Sequence, residues 1–492
     1  MKMKKKILSA AVVAALGAGS AQAVYLGTDG TGQVLFFPYY TVQGNEETLL
    51  TVVNTRNEGK AVKIRFREAE NSREVLDFNI YLSPYDVWVG KIADNDAGTG
   101  AAVVSPDKTC TVPLAISQGS KIDFRSLAYA GGAANPPPGP NPDSGTQDLS
   151  RTMEGYVEII EMGVANTAGI VAGTATTWDQ NADGVADYKH SGGVPNNCAG
   201  IANNFAGVWA GAPGTDVLAP TGGIFGELAV INVAKGTEIS ENATALEQVY
   251  TTQQHVSTGT ELPTISQASP NSVVLYNGAP VNDAWGVGED AVSAVLMAAS
   301  IANTYDINPA VEAGSAWITT FPTKWAYVAN DQDGDGTVEG APDDHAIEPF
   351  VSNFVGGKAC ERISVTAYDR EEKPQQGQDL DFSPAPGVPG VNLCYEVNVI
   401  QFGDSAVMSS GSPITLKYSN LPGVHGWVNI GFAATTDGDG DGILDHTLVG
   451  SNNTFIGLPV IGFSATVLGN SNVGVGAAYG TSNSHIYLRN IQ

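Results

Sequence analysis

The chain has 492 residues, with 24 Lys plus Arg set against 51 Asp plus Glu, a formal net charge of −27 and 58 glycines. So acidic a balance argues against nucleic acid or an anionic membrane surface as a partner, since both call for basic patches. Low charge content with abundant glycine fits a β-rich, loop-heavy protein rather than a helical bundle.

Lys2, Lys4, Lys5 and Lys6 precede an apolar run over residues 7–16 and the small-residue triplet Ala21-Gln22-Ala23. That order is the n-region, h-region and cleavage site of a secretory signal, so residues 1–23 are expected to be removed after Ala23. Val24 follows, and with no cysteine there, lipid attachment is not expected. The apolar run is too short to span a bilayer, as is the longest later one at residues 292–302, so no integral membrane segment is expected after cleavage. Removal of 23 residues leaves 469 and takes away four lysines, so 20 basic residues face 51 acidic ones and the net charge becomes −31. The expected location is secreted, extracellular or at the cell surface, with the periplasm as the other exported compartment.

Residues 33–42 (Gln-Val-Leu-Phe-Phe-Pro-Tyr-Tyr-Thr-Val) are aromatic and β-branched, and Pro38 confines such a strand to a sheet edge or a bulge. Residues 48–54 form the next strand signal. Val62, Ile64 and Phe66 then alternate with Lys63, Arg65 and Arg67, which predicts one buried and one wet face. Leu76, Phe78, Ile80 and Leu82 alternate in turn, Ser83-Pro84 turns the chain, and residues 85–89 follow as a strand. Short strands at this spacing predict a mainly β fold of antiparallel, immunoglobulin-like sandwiches with long loop insertions and one or two short helices.

The first sandwich is expected over residues 24–235, with a loop insertion at 94–153 whose Pro-rich tip lies at 135–142, and a strong strand at 156–162. Residues 236–310 read as a mixed segment with two helix candidates, 241–250 and 289–305; in the second, Val292, Val295, Leu296 and Ala299 share one face. Residues 311–492 read as a second sandwich, with strand signals at 316–328, 362–368, 394–402, 427–432 and 454–467.

Four cysteines in an exported chain predict two disulfides. Of three connectivities, the nearest-neighbour one joins Cys110 to Cys198 and Cys360 to Cys394, and loops of that size would contribute roughly 4 kcal/mol each on the chain-entropy model.

Three stretches repeat one acidic pattern. Asp437, Asp439 and Asp441, the carbonyl of Ile443 and Asp445 form the first set; Asp331, Asp333, Asp335, the carbonyl of Thr337 and Glu339 the second. Asp179, Asn181, Asp183, the carbonyl of Val185 and Asp187 form the third, and each set has a glycine at its sixth position. Calcium takes six to eight oxygens at flexible geometry, and such a loop supplies them from consecutive backbone. The twelfth position holds Leu448, Pro342 or His190 instead of a bidentate glutamate, which predicts weak, structural sites. The acidic loops resemble those of EF-hands, dockerins and thrombospondin type 3 repeats.

The segments Phe36-Phe-Pro-Tyr-Tyr-Thr-Val42, Val62-Lys-Ile-Arg-Phe-Arg-Glu68 and Tyr81-Leu-Ser-Pro-Tyr-Asp-Val-Trp88 resemble a family of exported proteobacterial proteins. Glu154-Gly-Tyr-Val-Glu-Ile-Ile-Glu-Met162, Phe321-Pro-Thr-Lys324 and Cys394-Tyr-Glu-Val-Asn-Val399 extend the likeness. It implies export and a single unit, with no activity and no catalytic residue attached.

Catalytic patterns are sparse. No pair among the six histidines has the spacing of a helical zinc site, and there is no G-x-S-x-G elbow. Glu154 and Glu158, expected on one strand face beside Tyr156, are the carboxylate pair a glycosidase would use. Trp88, Trp209, Trp317 and Trp427 read mainly as core, with stacking on sugars as the alternative. The expectation is a non-enzymatic, calcium-stabilised structural protein of a surface layer, filament or biofilm matrix, able to polymerise with itself by strand addition at residues 33–42. The alternative is a secreted carbohydrate-binding or carbohydrate-hydrolysing protein, with surface polysaccharide as partner.

Overall fold

The computed structural model describes residues 22–130, 142–330, 347–373, 391–404, 407–410, 412–433, 445–469, 473–474 and 477–492. Its principal strands in the first half are β1 (Val34–Thr41), β2 (Glu47–Asn54), β3 (Lys60–Glu68), β4 (Glu74–Leu82), β5 (Val87–Asp94), β6 (Glu154–Ala165), β7 (Ile224–Asn232), β8 (Thr237–Asn242) and β9 (Thr244–Glu247). The second half has helix α1 (Gly288–Leu296) and strands β10 (Ser300–Asp306), β11 (Ala313–Thr320), β12 (Glu361–Asp369), β13 (Val397–Phe402), β14 (His425–Gly431), β15 (Ile461–Gly469), β16 (Ala478–Ser484) and β17 (Ile486–Leu488).

The expected mainly β, antiparallel sandwich is what the chain forms, twice. In the first sandwich an 8-stranded sheet runs β9, β1, β6, β3, β4 through its centre, and a 6-stranded sheet runs β8, β7, β2, β5. Apolar side chains at alternate positions fill the space between them, and Phe78 meets Trp88 across it at 5.7 Å between ring centroids. In the second, a 5-stranded sheet running from an edge strand at Val391–Leu393 through β12, β14, β10 and β17 faces another running from an edge strand at Thr415–Tyr418 through β13, β11, β15 and β16, and Tyr305 stacks on Phe402 between them.

Several expectations change. The strand at residues 33–42 is no edge: β1 lies between β9 and β6 with every residue buried, and Pro38 sits where the pairing with β6 shifts register. The lone missing N–H is absorbed at a bulge, as proline requires, so this segment is not free to add a strand to another copy. Residues 241–250 are not helical. Their Ala-Leu-Glu composition favours a helix locally, but β8 completes one sheet against β7 and β9 the other against β1, so pairing overrides propensity and carries the first sandwich past residue 235. The helix expected at 289–305 stops at Leu296; from Ser300 on, burial alternates with period two, with Ile301 and Tyr305 inward. Within residues 94–153, Ala101–Val104 and Ile122–Asp123 extend the second sheet and Cys110–Val112 the first.

The largest departure is on β3. Its outer face is buried too: Lys63 bonds Asp77, Arg65 bonds Glu74 at 2.8 Å and Glu158 at 3.2 Å, and Arg67 lies 3.0 Å from Glu158. Residues 256–263 close over this ladder, taking hydrogen bonds from Arg65 at the Glu261 and Pro263 carbonyls while Gly259 donates its N–H to Asp77. Burial of charge is tolerated here because each cation meets carboxylates and carbonyls at once.

One apolar core runs without interruption from Val24 to Ala465 through both sandwiches. At the seam Thr320 Oγ1 donates to the Pro38 carbonyl at 2.6 Å and Val397 N–H to Ala69 O at 3.0 Å. The edges β8 and β16 lie side by side, Ser482 Oγ donating to Ser240 O and Ser484 Oγ to Glu241. Arg151, stacked on Tyr129, forks onto Glu68 at 2.7 Å and Asp143 at 2.6 Å beside the same seam. Among the described residues no helix is long and apolar enough to cross a membrane.

Candidate functional site

The acidic loop at residues 179–187 is described in full. It hangs from a small aromatic cluster in which Trp178 meets Tyr188 and Trp209, held down by the disulfide of Cys110 with Cys198. Ala182 and Gly184 both adopt left-handed backbone, φ +58° and +86°, which winds the segment tightly enough for Asp179 to accept the N–H groups of Asp183 at 3.1 Å and Gly184 at 2.8 Å. At Gly184 a side chain would also meet the Ala172 backbone at 2.9 Å, so glycine answers both to dihedral and to space.

Asp183 accepts the Val185 N–H at 2.8 Å and the Asn196 amide at 3.1 Å, and the Val185 amide first, then Asn196, hold its carboxyl below the usual range. Asp187 is buried and accepts the Gln180 N–H at 3.1 Å through one oxygen; the other has no hydrogen-bond partner. Burial, with Asp179 and Asp183 as neighbouring negative charges, pushes Asp187 up to about 6. The loop thus has the winding and an unengaged acceptor that a hard cation would use, while Asp179, Asp183 and the Val185 carbonyl already take internal hydrogen bonds. No group of three His, Cys, Asp or Glu side chains among the described residues is drawn together tightly enough to hold an ion. His190, at the twelfth position, turns instead to Ser83 Oγ at 2.7 Å.

Asp331, Asp333, Asp335, Thr337 and Glu339 lie outside the described residues, as do Asp437, Asp439, Asp441 and Ile443. Asp445 is half-buried, and its neighbour His446 bonds the buried Glu361 at 3.1 Å. Glu361 also accepts the Val351 N–H at 3.2 Å and pairs with Lys324 at 3.3 Å. A single carboxylate therefore anchors the chain shortly after both of these acidic stretches.

Set against family models, curated proteins and solved structures, the chain matches none. Residue roles accordingly rest on geometry.

Glu154 and Glu158 are both buried and do not converge. Glu158 is neutralised by Arg65 and Arg67. Glu154 accepts the Tyr39 hydroxyl at 2.6 Å, faces Ser410, and lines a pocket of about 260 Å³ that Glu158 does not reach. Burial raises Glu154 to about 7. A glycosidase pair needs two carboxyls flanking one bond, so this pair does not supply it.

Trp88, Trp209 and Trp317 are core residues, as expected, whereas Trp427 is 42% exposed. It projects from β14 on the side opposite Val428 and Ile430 and stacks on its cross-strand neighbour Tyr368, centroids 4.8 Å apart at 15°. Both rings belong to the sheet face beside an open cleft of about 490 Å³, lined by Trp427 together with Asp306, Asp369, Arg370, His425 and Asn483. His425 pairs with Asp306 at 3.0 Å. Sequence reading singled out Trp427 but not Tyr368 or this polar rim, although the parity of Trp427 against Val428 and Ile430 already placed it on the outer face.

Proposed function

We propose that this is an exported, calcium-stabilised structural protein of the cell exterior, a subunit of a surface layer, filament or matrix. The observation that carries the reading is the wound loop at residues 179–187, where two left-handed residues turn the backbone and a buried Asp187 oxygen has no hydrogen-bond partner, at a disulfide-stapled corner of the first sandwich. The lysine-rich, apolar N-terminus and the two disulfides support export, because disulfides persist in oxidising compartments. The site residues are Asp179, Asn181, Asp183, the Val185 carbonyl and Asp187, and by sequence the two sister loops. Calcium there fixes loops outside the cell, where its concentration matches weak sites.

Calorimetry should find dissociation constants on the order of 10⁻⁴ to 10⁻³ M. Ligand at ten times such a constant adds about 1.4 kcal/mol to stability, a rise of a few degrees in melting temperature that chelation reverses. No heat of binding and an unchanged melting temperature would refute the calcium reading, and a monodisperse monomer by negative-stain microscopy, with and without chelator, would refute assembly. Assembly would use surfaces other than residues 33–42.

A further inference from the structure

The cleft beside Trp427 has no part in the reading above, and its make-up points to a ligand of its own. An indole of this size left 42% exposed on a sheet face forgoes a substantial part of the burial that a large apolar side chain gains in a core. It is not a stray apolar residue: Tyr368 lies parallel against it and fixes its plane, so the indole is a rigid platform. Around it stand hydrogen-bonding groups of mixed character, with Asp306, Asp369 and Asn483 offering oxygens and Arg370 and the Asn483 amide offering N–H groups, while His425 is held by Asp306 and Asn308. The cleft, at about 490 Å³, falls within the size of small-molecule sites.

We infer that the cleft beside Trp427 and Tyr368 binds a neutral pyranose unit of an oligosaccharide or polysaccharide. A pyranose ring presents an apolar C–H face and an equatorial belt of hydroxyls that both donate and accept. The first matches an aromatic platform; the second matches a rim holding carboxylates and cations together. An anionic sugar is disfavoured, because the carboxylates Asp306 and Asp369 stand in the cleft and His425 is already paired with Asp306. The chain's net charge of −27 works against it as well. A nucleic acid base would also stack, but its phosphates meet the same repulsion. The inference does not depend on calcium or on assembly.

The test is a glycan array carrying neutral and acidic oligosaccharides, probed with the full chain, followed by calorimetry on the best neutral ligand. Neutral glycans should bind. Trp427→Ala should lose about tenfold or more in affinity, in keeping with aromatic contributions at exposed sites. Trp427→Phe, which keeps a ring, should fall between the two. Tyr85→Ala, which removes an exposed aromatic of the first sandwich, should bind as the parent does. Melting curves of each variant separate lost binding from lost folding. Absence of any neutral ligand, binding confined to acidic glycans, or undiminished binding by a folded Trp427→Ala protein would each overturn the inference.

Discussion

The outer faces of two central sheets make an instructive pair. On β3, Lys63 and Arg65 carry their charges under a roof of residues 256–263 and Arg67 lies against Trp325; on β10 and β14, Asp306, His425 and Trp427 line an open cleft. In both places the strand alternates with period two and the inward face is apolar. What differs is a covering segment whose carbonyls at Glu261 and Pro263 lie 196 and 198 residues along the chain from the Arg65 they receive. Alternation therefore tells which residues share a face and leaves open whether water reaches that face.

The comparison can be broken at its buried end first. Glu158→Ala removes the carboxylate that the buried Arg65 and Arg67 share and should cost about 3–5 kcal/mol in denaturant unfolding. If the face were in fact wet, the loss would shrink to the surface value of about 1 kcal/mol or less.

A smaller effect, and one that depends on pH, is expected at Glu154. Its carboxyl binds a proton more tightly in the folded state, at about 7 against 4.5 in the free side chain. The native state is therefore favoured below about pH 4.5, and that contribution is lost as pH rises through about 7. Glu154→Gln should be more stable than the parent by on the order of 1–3 kcal/mol at pH 8, with the difference vanishing near pH 4. Unfolding curves at a series of pH values read this directly, and a flat difference would remove the assigned cause.

The smallest effect belongs to the open face. Asp306→Asn breaks a partly exposed pair with His425 and should change stability by about 0.2–1 kcal/mol, diminished by salt. A double-mutant cycle with His425→Ala isolates the coupling, and a value as large as that at Glu158 would mean the cleft is effectively dry.

Much of the first sandwich was legible because local pattern and tertiary outcome agree. Val62, Ile64 and Phe66 point inward as their spacing requires, and the nearest-neighbour pairing of Cys110 with Cys198 and Cys360 with Cys394 is the one formed. Reading failed where partners come from far along the chain. Nothing near Arg65 announces Pro263 as its acceptor, and nothing within residues 241–250 announces β1 and β7 as neighbours. At the acidic loops the ligand spacing was plain, while the internal hydrogen bonds that occupy Asp179 and Asp183 depend on Asn196 and on left-handed backbone at Ala182. Of the cleft only Trp427 was visible, since its stacking partner sits on a strand that precedes it by almost 60 residues.

The seam along β8 and β16 has a consequence for how the protein comes apart. Each of these strands ends its own sheet, and each shields the other's unpaired backbone groups, while one apolar core passes beneath both. Neither half can loosen without baring a strand edge and a strip of that core, so melting should proceed as one cooperative transition with a single calorimetric peak. A proteolytic cut between the halves would leave two fragments prone to stick to each other, and to copies of themselves, through those same edges.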